Sequence, residues 1–360
     1  MQIGIVGLPF SGKTTLFQTL TETHLDPEAL AKRDSNQAIV KVPDERLDKL
    51  TEMYNPKKKV NATIEIVDVA GVQKAEQGSM FNTQFLTKVR TNDAIIHVVR
   101  GFEDDMVPHI ENSIDIIRDI QTFEDEFIFS DMAFLEKRFE KLEKELKKGK
   151  DKDKLLREKA AMEKWNEALQ NEMPIRELDL SDDEQWYVKN YQPLSAKPLM
   201  IALNLSESDV DKSDGILAKV KDKVKGKNFR VEPFFAKIEM ELSQLDDEEK
   251  NMFMDEYGLK ESPLNRMIRG AYDLLGLQSF FTVGEDECRA WTIKKGMNAQ
   301  ESAGVIHTDF YNKFIRAEVV AYDDYVEHGS MAACRDKGLV RLEGKEYIVK
   351  DGDIINVRHG

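Results

Sequence analysis

Only two cysteines, Cys288 and Cys334, occur in 360 residues. A disulfide scaffold is excluded, and so is a structural zinc site, because no Cys/His pairs stand at ligand spacing. No apolar run approaches the roughly 18 residues that span a bilayer. The opening MQIGIVG has no basic start of a signal peptide and reads directly as a strand. Positive charge is in deficit: 52 Lys and Arg face 67 Asp and Glu, a formal net charge of −15. So acidic a chain is a poor non-specific nucleic-acid binder, although a local basic patch can still take RNA. Internal repeats and long low-complexity linkers are absent. The 41% hydrophobic and 33% charged residues are core material for two or three domains. The expectation is a cytoplasmic, multi-domain protein with neither a membrane nor DNA as partner.

Short apolar runs at 2–7 (QIGIVG), 62–67 (ATIEIV), 94–99 (AIIHVV) and 198–204 (PLMIALN) read as buried strands. A further run at 230–236 is interrupted by Pro233. Helical stretches at 13–23 and 81–91 alternate with the strands, which predicts an α/β P-loop fold with a mostly parallel sheet over 1–130 and 193–277. Between them, Leu135, Phe139, Leu142 and Leu146 follow a helix seam, and Leu155, Met162 and Leu169 stand seven apart. With Gly149 at the break, this predicts an inserted helical hairpin over 131–192. Its tip, 147–159, holds seven Lys/Arg against three Asp/Glu, a solvated end or a contact for RNA or an acidic partner. From 278 to 360, short alternating segments separated by turns predict a small β-rich domain with a helix near 299–305.

The strongest local signal is G-x-x-x-x-G-K-[ST]. Gly7, Leu8, Pro9, Phe10, Ser11, Gly12, Lys13 and Thr14 match it position for position, after a strand and before a helix. Glycines let backbone N–H groups converge on phosphate oxygens, and a helix N-terminus adds partial positive charge. Lys13 is expected to bridge the β- and γ-phosphates, the Thr14 hydroxyl to ligate Mg²⁺, and Thr15 to complete the nucleotide-binding loop. Asp68, ending the second strand in DVAG (68–71), is the expected metal-side acid, with the Gly71 N–H free to approach the γ-phosphate. The next residue is Val72, which cannot orient a water as the Gln of Ras-like enzymes does. Either hydrolysis is slow or another group positions the water.

GTPases of this architecture carry N-K-x-D after a late strand. Here Asn204, Leu205, Ser206 and Glu207 stand in that place. A longer acid cannot keep the bidentate geometry to guanine, whereas adenine offers N6–H₂ and N7 to an Asn. The reading therefore favours adenine, with Ala236 of AKIE (236–239) opening a second loop over the base.

These residues together resemble the YchF / Obg-like ATPase subfamily of translation-factor-related P-loop proteins. The carriers are GLPFSGKTTLF (7–17), VPDERLDKL (42–50), DVAG (68–71), HVVRGFED (97–104), NLSE (204–207), AKIE (236–239), RAWTIKKG (289–296), AGVIHTDFYNKFIRAEVV (303–320) and VKDGDIINVR (349–358). They run through essentially the whole chain. The resemblance implies a nucleotide-binding domain interrupted by a helical coiled-coil domain, then a TGS-like domain of β-grasp type at 278–360. It also implies Mg²⁺-dependent ATP binding, preference for ATP over GTP, slow hydrolysis and association with ribosomes, with RNA contacts through the helical tip and the TGS-like domain. It places the water-positioning histidine at His109.

Three departures stand out. Phe10 occupies a position where relatives carry an Asn associated with K⁺, so K⁺ stimulation is open. Lys32 stands where a Thr is usual in the first switch, and 72–82 has fewer glycines than the usual second switch. A nucleotide-dependent binding module with negligible hydrolysis, and a GTPase of the Obg type, therefore stay open as alternatives.

Overall fold

The computed structural model describes residues 1–21, 35–69, 81–104, 106–224, 226, 228–242, 245–259 and 261–360. Asn36 lies in β2, but nothing of its side chain is described. Lys32, Gly71, Val72 and most of both expected switch segments lie outside the described residues.

The chain divides into two compact units, one of 1–38 with 65–267 and one of 39–64 with 268–360. The first is built on a sheet of six strands. They are β1 (Gln2–Gly7), β2 (Ser35–Lys41), β4 (Thr63–Val69), β5 (Ala94–Arg100), β6 (Leu199–Asn204) and β7 (Phe229–Phe234), with β3 (Lys58–Val60) falling elsewhere. Their order is β2-β4-β1-β5-β6-β7. Every pairing from β4 through β1, β5 and β6 to β7 is parallel. β5 and β6 are buried at every position, as near-continuous apolar runs must be when both sheet faces are covered. Pro233 sits within β7, at the end of the strand order, where a missing N–H costs no ladder bond.

The helices of this unit are α1 (Lys13–Thr21), α3 (Thr83–Arg90), α4 (Ile116–Lys147), α5 (Lys152–Gln170), α6 (Asp182–Tyr191), α7 (Ser213–Lys223), α8 (Ala236–Leu242) and α9 (Asp247–Glu256); α2 (Glu45–Tyr54) belongs to the other unit. α4 begins at Ile116, fifteen residues before the expected start of the hairpin at 131. One continuous helix serves two cores. Its first turns give Ile120, Phe123 and Phe127 to the cluster beneath the sheet. Beyond that, Ile128, Leu135 and Leu142, seven apart, face Met162, Trp165 and Leu169 of α5. The seam predicted from 135 and 142 is present. The start was missed because the apolar positions at 120, 123 and 127 belong to a different partner.

Gly149, at φ +75°, turns the chain between α4 and α5, a conformation in which a Cβ is penalised. The base of the hairpin is fixed by Asp131, which has no exposed surface. Its carboxylate accepts the N–H groups of Leu194 and Ser195 and the Ser195 hydroxyl. Burial pushes its pKa up against those bonds.

The second unit carries β8 (Leu277–Thr282), β9 (Glu287–Lys294), β10 (Phe314–Val320), β11 (Arg341–Glu343) and β12 (Ile354–His359). With β3 they form a mixed sheet ordered β11-β10-β12-β8-β9-β3. α10 (Pro263–Leu274) precedes the sheet in sequence. α11 (Ala299–Ile306) packs Ala299 and Ala303 against Phe280, Ile293, Phe314 and Val319 on one face. Helix over mixed sheet is the β-grasp arrangement expected for 278–360.

The sequence boundaries placed 39–64 with the nucleotide-binding part. Here β3 instead pairs parallel with β9, Lys58 opposite Glu287. The run at 346–349, read as a strand, contributes only an isolated bridge between Ile348 and Asn298. Cys288 and Cys334 are both buried and free, and burial pushes both thiols up. They are inert packing residues, since reactivity needs exposure and a lowered pKa.

Candidate nucleotide-binding site

The strand β1 ends at Gly7, and α1 opens at Lys13. The five residues between make a tight loop. Ser11 donates its N–H to the Leu8 carbonyl at 3.2 Å, and Leu16 donates to Gly12 at 2.9 Å, opening the helix. Two glycines are needed for stated reasons. A Cβ on Gly7 would stand 2.5 Å from the Val98 carbonyl oxygen and 2.6 Å from Ser11 Oγ. Gly12 has φ +98°, and a Cβ there would stand 2.2 Å from Asn204 Nδ2. Phe10 also has positive φ, at 63°, with its ring largely exposed. A bulky residue there stores roughly 1–3 kcal/mol of backbone strain. α1 has no acidic residue in its first turn, so its partial positive end is free for an anion. The loop therefore has the geometry that a phosphate cradle requires.

Lys13 Nζ lies 3.8 Å from Asp68 Oδ1, both side chains largely buried. Thr14 is exposed at the first turn. A hydroxyl and one carboxylate are a sparse oxygen set, which suits Mg²⁺ because that ion keeps waters and takes phosphate oxygens for the rest. The residues present fit the metal.

Asn204 takes a different post from the one expected. It is 2% exposed. Its amide nitrogen donates to the Ser11 carbonyl at 3.1 Å, and its amide oxygen accepts from the Ala236 N–H at 3.4 Å. One N–H and one lone pair of the amide are thus engaged inside the protein. Asn204 ties the phosphate loop to the loop that opens α8. Leu205, 3% exposed, is packed in the core, with its N–H on the Phe234 carbonyl at 2.8 Å. Glu207 Oε1 lies 3.8 Å from Lys237 Nζ. Lys237 joins Glu207 beside this loop and was not foreseen. Its signal was the K of AKIE.

His109 lies in the 101–115 segment between β5 and α4. It lines a small cavity with Leu8, Pro9, Ser11, His97 and Asp119. Its Nδ1 accepts the Glu111 N–H at 3.1 Å. The Nε2–H must therefore donate to Asp119 Oδ2, 3.0 Å away. Both ring nitrogens are engaged, so a water could be held only after one bond is exchanged. Arg100, 3% exposed, fixes the rest of the segment through the carbonyls of Phe102, Val107 and Asp104. Asp119 and Arg100 were not singled out from the sequence. Arg100 was visible only as a charge ending an apolar strand.

His97 packs its ring against Phe123 with centroids 4.0 Å apart. Burial lowers its pKa from 6.5 to about 3. The folded protein keeps it neutral, whereas the unfolded chain takes a proton below about pH 6.5. Its contribution is present above that pH and is lost as pH falls toward 3. Wild type should lose up to about 1.4 kcal/mol per pH unit from this group between pH 6 and 4. His97→Phe should flatten that slope in urea titrations at several pH values, and an unchanged slope would refute the assignment.

Residues 2–130 match the family model described as 50S ribosome-binding GTPase. Residues 277–360 match a YchF GTPase C-terminal model described as a protein of unknown function. The chain is 45% identical to the Ribosome-binding ATPase YchF of Bacillus subtilis over 360 residues, covering 99% of this chain and 98% of that protein. It is 39% identical to the Obg-like ATPase 1 of Rattus norvegicus, covering 99% and 91%. The solved structure of the Schizosaccharomyces pombe YchF GTPase superposes with a TM-score of 0.88 at 34% identity, covering 99% of this chain and 97% of that one.

Proposed function

The chain belongs to the YchF / Obg-like ATPase family of P-loop nucleotide hydrolases, and from that premise we propose that it binds ATP with Mg²⁺, hydrolyses it slowly, and acts as a nucleotide-gated switch that docks on the ribosome. The observation that carries the reading is the cradle itself: Gly7 and Gly12 in a loop that only glycine fits, Lys13 beside Asp68, and an uncompensated helix N-terminus. Lys13 and the loop N–H groups bind the β- and γ-phosphates and stabilise charge developing on the γ-phosphoryl group. Thr14 and Asp68 would hold Mg²⁺, which neutralises phosphate charge when bound. Water positioning falls to His109 once its bond to Asp119 or to the Glu111 N–H is exchanged. That required exchange fits a slow basal rate. Asn204 couples the cradle to the base loop, where Glu207 and Lys237 meet the purine.

The names of the relatives from Bacillus subtilis and Rattus norvegicus support ATP and, for the first, the ribosome. The Schizosaccharomyces pombe relative is named a GTPase, which keeps guanine as the second reading. Thermal melts with Mg²⁺ and either ATP or GTP decide between them. ATP should raise the midpoint, and a hundredfold excess over Kd is worth about 2.7 kcal/mol. A larger shift with GTP would overturn the adenine assignment. In single-turnover hydrolysis His109→Ala should be slower by on the order of 10²-fold. A wild-type rate would remove His109 from the mechanism.

A further inference from the structure

A polar series runs from the 101–115 segment into α4 and back to His109. Asp119 stands in the first turn of α4, whose start is capped by Asp115 accepting the Ile117 and Arg118 N–H groups at 3.1 Å each. One oxygen of Asp119, Oδ2, takes the His109 Nε2–H at 3.0 Å. The other, Oδ1, lies 2.9 Å from Arg118 Nε and 2.8 Å from its Nη2. Arg118 is held in turn by Ser113. Its Nη1 donates to the Ser113 hydroxyl at 2.8 Å and its Nη2 to the Ser113 carbonyl at 2.7 Å. The His109 and Asp119 side chains are 5% and 4% exposed, whereas Arg118 reaches solvent at 32%. The buried end of the series shares its cavity with Leu8, Pro9 and Ser11 of the phosphate loop.

Each bond in the series fixes the next. A guanidinium only donates, so the atom facing Arg118 must accept. A carboxylate meets that demand and still offers Oδ2 to the imidazole. With Nε2 protonated toward Asp119, the ring's free lone pair is on Nδ1, where the Glu111 N–H occupies it at rest. Nδ1 is therefore the atom able to take a proton once that bond opens. The carboxylate on Nε2–H holds the ring while Nδ1 changes partner, and it stabilises the imidazolium that proton uptake creates. Carboxylate and imidazole divide the work in this way in hydrolytic triads.

We propose that Asp119, oriented by Arg118, is a positioning residue for hydrolysis that fixes the Nε2–H tautomer of His109 and so assigns the base to Nδ1. As the water oxygen bonds to the γ-phosphorus, the bond from that phosphorus to the β–γ bridging oxygen breaks. The water's proton passes to Nδ1, and the electron pair of the broken bond leaves with the nucleoside diphosphate. This role deepens the assignment of His109 above and rests on it.

The test begins with full-length wild-type protein labelled with nitrogen-15 histidine and read by NMR. His109 is identified among the six histidines by the signals that His109→Ala removes. Its proton is expected on Nε2, and finding it on Nδ1 overturns the proposal. Asp119→Asn is the informative variant. Its amide must turn the oxygen to Arg118, which leaves an N–H facing His109 Nε2. The ring proton is then driven to Nδ1, and the base position loses its lone pair. Single-turnover ATP hydrolysis should fall at least about 10-fold, and no further than the roughly 10²-fold of His109→Ala, with ATP affinity by calorimetry within about twofold of wild type. Adding Arg118→Ala frees the amide to turn. The double variant should regain the Nε2–H tautomer and part of the rate, whereas a merely structural role makes two lesions worse than one. An unchanged tautomer or a wild-type rate in Asp119→Asn overturns the proposal, and so does a double variant no faster than the single one. Asp119→Asn combined with His109→Ala should be no slower than His109→Ala alone, and an additive loss is a further refutation. If His109→Ala hydrolyses at the wild-type rate, the assignment of His109 itself fails and this role falls with it. A slow His109→Ala beside a wild-type Asp119→Asn overturns the role of Asp119 alone.

Discussion

Lys13→Ala lowers single-turnover hydrolysis by on the order of 10²–10³-fold and removes most of the melting shift given by nucleotide. Lys13 sits at the first turn of α1, where its ammonium lies 3.8 Å from Asp68 Oδ1. Removing the ammonium leaves the Asp68 carboxylate, 8% exposed, without that counter-charge, so the variant's own melting point without ligand is the reference for its ligand-induced shift. The ammonium supplies positive charge where negative charge gathers on the γ-phosphoryl group, in a site partly shielded from water. Backbone N–H groups and the helix end remain, and so does weak binding. Rate and ligand-induced shift both at wild-type levels would mean that the cradle holds no triphosphate.

Gly12→Ala carries the second large effect. Two independent penalties meet at this residue. The φ of +98° is one that L side chains rarely adopt, at a cost of roughly 1–3 kcal/mol. The added Cβ would also stand 2.2 Å from Asn204 Nδ2, so the Asn204 clip on Ser11 must open or the loop must move. Nucleotide affinity should fall about 100-fold or more, because a misplaced loop turns several N–H donors away from the phosphates at once. Isothermal titration with ATP and Mg²⁺ reads the loss directly. The double variant Gly12→Ala, Asn204→Ala separates the penalties. It removes the collision and keeps the strained φ, so it should recover part of the affinity and not all. Full-affinity binding by the single variant would show that the loop relaxes freely, and the clip would then be unimportant.

How much was legible varies with the range over which each feature is determined. The phosphate loop was readable because glycine spacing, the Lys and the strand–helix context are all local. The hairpin seam was readable from the seven-residue spacing of Leu135 with Leu142 and of Met162 with Leu169. Its start was not, because Ile120, Phe123 and Phe127 form an equally good helical pattern that packs on another core. The placement of 39–64 was hidden for the same reason. ATIEIV (62–67) reads as a strand of the nucleotide-binding part, and nothing local says that Lys58–Val60 pairs with Glu287–Arg289 more than two hundred residues away.

The functional residues divide in the same way. Lys13 and Asp68, singled out by local pattern, lie 3.8 Å apart in the structure, and their roles with Thr14 toward phosphate and metal are proposed from that pattern. Asn204 needed tertiary knowledge. Its residue type permits reading a base or bridging two loops, and only the approach of Ser11 and Ala236 to its amide shows the bridge. His109 was named from a resemblance, but its engagement by Asp119 and the Glu111 N–H follows from the packing of its segment against the start of α4. By itself the sequence determined the phosphate-loop motif, the alternation of strands and helices in the α/β part, and the family. The tertiary structure alone decided which polar side chains are spent inside the protein and which remain open to a ligand, because that depends on long-range neighbours that no local spacing encodes.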